Sequence, residues 1–317
     1  MRGAPLIPNS YKGLVYNMRK GQKSLIIASL IPSVSFYLLF FVYPTLRAFY
    51  VSLFSWSGFT PEMTFVGLRN FAELFKDRDY WRVVSNTFGY VFIGGFLVFV
   101  IAFLFTYLIG SLKRKRLKHV IQAIIFFPVT VAPVALGIMW GFIYHRRWGL
   151  VNGILHLARL DFLIQTWMSP DLIFWSMLAV IVWTEVGFYT VIFGAAAERI
   201  PPYLYDAARV EGATNFQAFT KITLPLLKGI IRICVVLWAV WTLRIFDLIY
   251  VFAGGAAATP PLNVRSIAVQ MYLLSFGERV AVFRMGYSTA IGVTLLFWVV
   301  LFALTGQVLL KGERIEY

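Results

Sequence analysis

Six apolar stretches, at 25–54, 88–111, 120–144, 172–197, 230–252 and 285–310, dominate the chain, and each is long enough to cross a bilayer as a helix. None reads as a strand: each is too long, and inside lipid a helix satisfies its own backbone hydrogen bonds. The expected fold class is an all-α membrane protein with six transmembrane helices. Charged residues make up 14% of the 317-residue chain, against roughly 25% in soluble domains. The polar segments left over have no room for a separate large soluble domain. Pro44, Pro128 and Pro133 are expected to mark a helix end and kinks rather than breaks.

The 29 Lys and Arg residues outnumber the 14 Asp and Glu, for a net charge of +15. In a soluble chain that balance would suggest nucleic acid, but no basic stripe interleaved with aromatics stands on a polar segment, and no nucleic-acid partner is expected. Lys and Arg concentrate on cytoplasmic loops. Here most of them fall before the first stretch (Arg2, Lys12, Arg19, Lys20, Lys23), in the run from Lys113 to Lys118, after the fourth stretch (Arg199, Arg209, Lys221, Lys228, Arg232) and in the tail (Lys311, Arg314). Both termini are therefore expected in the cytoplasm, with a cytoplasmic segment at 1–24, the six-helix domain at 25–310, a short tail at 311–317, and membrane lipid around it. The first stretch is too long for a signal h-region and lacks a small-x-small cleavage site, so it reads as an uncleaved helix. The single cysteine, Cys234, lies in an apolar run and is expected to pack as a small hydrophobe.

The cytoplasmic segment at 199–229 is the most patterned. Pro201 and Pro202 suit the first turn of a helix. Ala207 and Ala208 are strong helix formers. Gly212 stands where a left-handed residue would stop that helix. Thr214 or Asn215 can cap the next one, and Pro225 ends it before the fifth span. The pattern predicts helix, turn, helix. The two alanines leave one face nearly flat, bordered by Asp206 and Glu211, which admits a close-docking partner; a hairpin on the membrane surface with no partner is the plainer alternative.

Asp206-Ala207-Ala208, then Gly212, then Ile222-x-Leu224-Pro225, resembles the EAA loop of binding-protein-dependent ABC importer permeases. The resemblance covers nearly the whole chain. Phe65-Val66-Gly67-Leu68-x-Asn70-Phe71, with Trp81 and Asn86-Thr87, is similar to the first outer segment of the carbohydrate branch. Phe246-Asp247-Leu248-Ile249-Tyr250-Val251 with Gly254-Gly255 resembles that branch's fifth core helix. Phe283 and Gly286-Tyr287-Ser288-Thr289-Ala290 resemble the start of its last helix. The chain departs from the pattern in carrying Asp206 where Glu is commonest and Ala256-Ala257-Ala258 after the glycine pair.

The resemblance implies a type I ABC importer permease, the first of two paired membrane subunits of a maltose- or glycerol-phosphate-type sugar importer. It implies a second homologous permease, two ATPase subunits that hold ATP and Mg, an extracytoplasmic solute-binding protein and a carbohydrate substrate. Its coupling surface would be Tyr205, Asp206, Ala207, Ala208, Glu211 and Gly212.

The chain itself carries no G-x-x-x-x-G-K-[ST] motif to cradle ATP phosphates, so it is expected to bind no cofactor and to catalyse nothing. His119, His145 and His156 stand at membrane borders without a ligand-spaced cysteine or carboxylate, and no metal is expected. Glu185, Arg244 and Asp247 lie at membrane depth, where ionisable groups are expensive. Arg244 and Asp247, three apart, would share a helix face and would form a structural pair, or Arg244 would pair with Glu185. The alternative is a substrate site. Trp183-x-x-x-Gly187-Phe188 is similar to the family's sugar-contacting stretch, which implies contacts from Trp183, Val186, Gly187 and Tyr189. The family's second stretch falls on Leu243 and Arg244. Neutral-sugar permeases tend to carry a neutral polar group there, so a guanidinium points to an acidic glycan or sugar phosphate. A rival class is an ion-coupled transporter or channel without an ATPase, in which Glu185 and Asp247 would serve the ion.

Overall fold

The computed structural model describes residues 20–112, 114–254, 259–277 and 283–310. The basic residues up to Arg19, Lys113, Gly255 with Ala256 to Ala258, and the tail from Lys311 lie outside the described residues. The chain divides into two units, 1–50 and 51–317, each described by itself. The first holds α1 (Lys20–Tyr37) and most of α2 (Tyr43–Val51). Every described side chain of α1 is exposed, as expected of an apolar helix that meets lipid.

The second unit begins with a two-stranded antiparallel pair, β1 (Phe54–Ser55) and β2 (Thr64–Phe65). Helices α3 (Arg69–Lys76), α4 (Arg78–Gly89), α5 (Gly95–Gly110), α6 (Lys115–Thr130), α7 (Pro133–Ile143) and α8 (Leu150–Leu157) follow. Then come α9 (Ile173–Ala197), α10 (Pro202–Val210), α11 (Asn215–Ala218), α12 (Leu224–Leu226), α13 (Lys228–Leu243), α14 (Asp247–Ala253), α15 (Ile267–Phe276) and α16 (Met285–Leu310). Among the described residues four helical runs are long and apolar enough to cross a bilayer: Leu25–Val51, Arg78–Gly110, Ile173–Ala197 and Met285–Gly306. Two bent pairs, Lys115–Thr130 with Pro133–Ile143 and Asn215–Leu226 with Lys228–Leu243, raise the number to six if each is one span.

Several boundaries differ from expectation, for local reasons. The first run does not end at Pro44; a wider π-turn at Leu38–Val42 precedes the proline and absorbs its missing N–H. Pro133 is a break, not a kink. Ala132 takes the extended backbone that a following proline imposes, and α7 restarts at 98° to α6. The fifth stretch is also broken, at 244–246, between α13 and α14. Arg244 closes one helix and Asp247 opens the next, so they do not share a helical face. The second run starts well before residue 88, because Asp77 accepts a hydrogen bond from the Asp79 N–H at 2.8 Å and caps α4. The segment between α14 and α16 is not simply polar, since it contains the largely buried α15.

Two buried clusters organise the unit. One joins α5, α9, α13 and α14 around Tyr90, Met177, Phe193 and Trp238, and includes Cys234. The other joins α4, α13, α15 and α16 around Tyr80, Leu243, Ile267 and Ile291. Lipid is as apolar as these side chains, so helix association here rests on close packing and polar cross-links. Such links include Tyr80 Oη donating to Thr294 Oγ1 at 2.9 Å, Tyr90 Oη to the Val264 carbonyl at 3.0 Å, and the Trp238 indole to the Val91 carbonyl at 2.7 Å.

Helix α9 approaches the backbone of α6 closely. A Cβ at Gly187 would lie 1.9 Å from the Ile125 carbonyl oxygen and 2.9 Å from the Phe126 Cα. Backbone cannot yield as a side chain would. Gly187→Ala is therefore expected to destabilise the chain by about 1–3 kcal/mol, seen as a lower thermal midpoint in detergent. Gly153→Ala, which meets open space, serves as the control and leaves the midpoint unchanged or higher. Equal midpoints for Gly187→Ala and the parent would contradict the crossing.

Candidate functional site

The patterned segment folds as the sequence predicts. Pro202 is the first residue of α10, preceded by Pro201 at the cap. The helix stops in a paired arrangement: the Gly212 N–H donates to the Arg209 carbonyl at 3.0 Å and the Ala213 N–H to the Ala208 carbonyl at 2.9 Å. Gly212 has φ of +77°, the left-handed conformation that this stop requires. Thr214 then caps α11 in a reciprocal box with Gln217, with bonds of 3.2 and 2.8 Å. The second arm runs through a π-turn at Phe219–Thr223 to Pro225 in α12, and the chain turns by 70° into α13.

The hairpin is pinned to the bundle from inside. Leu204, Tyr205, Ile222 and Leu226 pack against the first cluster, and the hydroxyls of Tyr205 and Thr223 are 2.9 Å apart. This orients α10. Tyr203, Asp206, Ala207, Val210 and Glu211 are exposed, at helical spacing along one face. Tyr205 and Ala208 are half-buried on the other side. Of the two alanines, Ala207 is therefore the one presented outward. Asp206 pairs with Arg209 at 2.8 Å; with both side chains open to solvent the pair contributes little stability. A second ion pair, Lys118 with Glu198, joins the start of α6 to the end of α9 beside the hairpin. Lys118 reads in sequence as a topology signal only, and a partner eighty residues away in the chain leaves no local trace.

The residues expected to touch substrate divide sharply. Trp183 is 41% exposed and meets Trp140 edge-on at 5.3 Å. Arg244 and Asp247 are exposed at the break between α13 and α14. Neither they nor Glu185 forms an ion pair with a described residue; Arg244 donates to the Val240 carbonyl at 3.2 Å. The remaining five are interior. Glu185, Val186 and Tyr189 are buried within α9, where Tyr189 packs on Phe99 and Trp238. Gly187 is spent on the α6 crossing, and Leu243 is wholly buried in the second cluster. Sequence reasoning missed Trp140, whose indole nitrogen is buried without a hydrogen-bond partner among the described residues. It also missed the bond between His156 and Asp161 at 2.7 Å. An apolar run offers no signal for the first, and only the five-residue spacing hints at the second.

Residues 102–312 match the family model described as binding-protein-dependent transport system inner membrane component. The chain is 31% identical over 277 residues to the probable ABC transporter permease protein YurN of Bacillus subtilis, covering 84% of this chain and 89% of the relative. It is 30% identical to the trehalose/maltose transport system permease protein MalF of Thermococcus litoralis, covering 77% and 82%. Its fold is similar to that of a chain in the crystal structure of a bacterial alginate ABC transporter in complex with an alginate pentasaccharide-bound periplasmic protein. The TM-score there is 0.74 at 21% identity, over 97% of this chain and all of the other.

The hairpin geometry yields a direct test. Gly212→Ala forces a Cβ into the left-handed region at a cost of about 1–2 kcal/mol, so amide exchange in α10 is expected to speed up by roughly tenfold. Gly212→Asn tolerates that conformation and changes exchange far less. Identical exchange in all three proteins would contradict the assigned stop.

Proposed function

The chain belongs to the inner-membrane components of binding-protein-dependent transport systems, and from that premise we propose that it is the permease of an ATP-driven carbohydrate importer. It forms half of a translocation pore with a second homologous permease. The single observation that carries the reading is the hairpin of α10 and α11, anchored from inside by Tyr205 and Thr223 and presenting Tyr203, Asp206, Ala207, Val210 and Glu211 outward. A small residue at the centre of that face lets a partner backbone come close. The carbohydrate class is supported by the relative named for trehalose and maltose transport.

In this reading the termini and the hairpin are cytoplasmic. Two ATPase subunits carry the ATP and Mg, and a soluble binding protein delivers cargo to the opposite face. Closure of the ATPases on ATP moves the hairpin, and the hairpin moves α9 and α13, between which it is spliced. The chain's own part is mechanical: it receives that motion, reorients the helices and exposes the pore to one side and then the other. Tyr205, Ala208 and Gly212 shape and hold the coupling hairpin, while Asp206, Ala207 and Glu211 make the contact.

Along the pore, Trp183 offers an aromatic face. Arg244 offers a guanidinium whose one hydrogen bond among the described residues is to a main-chain oxygen, near Asp247 in the chain. The two ends of a broken helix are a place where membrane proteins tolerate irregular backbone and polar side chains, because the site lines protein or a wet cavity. A guanidinium there grips a carboxylate or phosphate with paired hydrogen bonds, and the cargo is an acidic oligosaccharide or a sugar phosphate. Glu185, Val186, Gly187, Tyr189 and Leu243 shape the pore from behind.

Ala207→Trp is expected to reduce uptake by at least roughly tenfold while the chain still assembles, because the indole collides at the docking face. Normal uptake would contradict the coupling surface. Arg244→Gln is expected to lower uptake of a uronate oligosaccharide by roughly tenfold or more and to spare maltose. If it leaves every acidic cargo untouched, the acidic reading is wrong.

A further inference from the structure

A cavity of about 500 Å³ lies between the coupling hairpin and the helix ends behind it, and Asp206, at the edge of the exposed face of α10, reaches its lining. Its size falls in the range of about 300–1,000 Å³ typical of small-molecule sites. One wall is made by the ends of α5, α6 and α9, and the other by the hairpin. Two ion pairs border it, Lys118 with Glu198 and Asp206 with Arg209. Each cation is matched by a carboxylate, so the lining carries no net charge.

Two carboxamides are left over. Gln122 on α6 and Asn215 on the hairpin both line the cavity, and neither has a hydrogen-bond partner among the described residues. Gln122 is half-buried and Asn215 exposed, so each carboxamide stays open to the cavity and can both donate and accept there. Space for a partner exists because Gly194 has no side chain. A Cβ there would meet only the Gln122 amide nitrogen, at 3.4 Å. The rings of Tyr107 and Phe219, 5.4 Å apart and tilted by 57°, add aromatic faces to the lining.

Carboxamides that both donate and accept, balanced charges and an aromatic wall together match a polyhydroxylated ligand without charge. A hydroxyl can accept from one amide and donate to the other, and the C–H face of a sugar ring can lie on an aromatic ring. A net anion would instead have to compete with Glu198 and Asp206 for the two cations.

We propose that this cavity binds a neutral sugar of one or two rings on the cytoplasmic side and that the ligand fastens the hairpin to the helix ends. Gln122 belongs to the bundle and Asn215 to the element that receives the ATPase motion. A molecule bonded to both resists their relative movement. The role of the site rests on the importer reading: a neutral sugar in the cytoplasm, distinct from the acidic cargo, slows further import. The site is separate from Trp183 and Arg244, neither of which lines the cavity.

The test is equilibrium dialysis of radiolabelled maltose against the purified full chain in detergent, without binding protein or ATPase. Saturable millimolar binding is expected, with glucuronate at least tenfold weaker. Gly194→Leu, which fills the cavity against a flexible amide only, is expected to weaken maltose binding at least tenfold. Gln122→Ala, which removes the amide without adding volume, is expected to weaken it as well, and Gly153→Ala, which meets open space outside the cavity lining, to leave it unchanged. No saturable binding to the parent chain overturns the proposal. So does binding that survives both cavity variants, which would put the sugar elsewhere in the chain. Preference for glucuronate overturns the neutral ligand class. Import by the reconstituted complex is scored separately: a complex that moves no carbohydrate refutes the importer reading and leaves the dialysis result intact.

Discussion

Helix α9 rests on α6 with no side chain between them at Gly187, and the rest of the bundle is arranged around that contact. The Ile125 carbonyl occupies the place a Cβ would take. With α6 on one side and α5 on the other, α9 presents one long buried face from Ile173 to Phe193. Its far end is then tied to α6 by Glu198 and Lys118, just where the chain turns into α10. The hairpin therefore grows out of a stiff helix at one end and feeds α13 at the other.

Breaks in the helices place the polar groups. A continuous fifth helix would have turned Arg244 and Asp247 onto one face as a pair. Instead α13 stops, and the Ile245 carbonyl accepts from Ser266 Oγ at 2.6 Å. Backbone freed by the break is thus satisfied from the start of α15, which is itself buried against α16. The irregular stretch needs no water to persist, and the two charged side chains are free to face outward. The same economy holds at Ala132, where the pre-proline residue takes extended backbone and α7 leaves to pack on α14.

What was legible in the sequence was local chemistry. Pro202, Gly212 and Thr214 act within a few residues of themselves, so the hairpin could be read in advance with its caps. The uninterrupted spans also stood out, because apolar length is a property of one segment. The break at 244–246 could not be read, since neither proline nor glycine marks it and its support comes from Ser266. For the same reason the expected pore contacts divide between exposed and buried positions. Leu243, Val186 and Tyr189 lie near the exposed Trp183 and Arg244 in sequence, but the pitch of each helix turns them into the clusters. Which of two alanines faces outward depended on the Tyr205–Thr223 bond, eighteen residues apart in the chain. That bond rolls Ala207 out and Ala208 in.

The central claim is that the exposed face of α10 seats on a cytoplasmic ATPase. Its most direct test is a cysteine at Ala207, with Cys234 replaced by serine, treated in intact membranes with a short bifunctional thiol reagent. The account predicts a cross-link to a peripheral ATPase chain, weakened or strengthened by ATP, and no labelling of that cysteine by an impermeant maleimide added from outside. Labelling from outside, or a cysteine that never cross-links to an ATPase in an actively importing membrane, would contradict it.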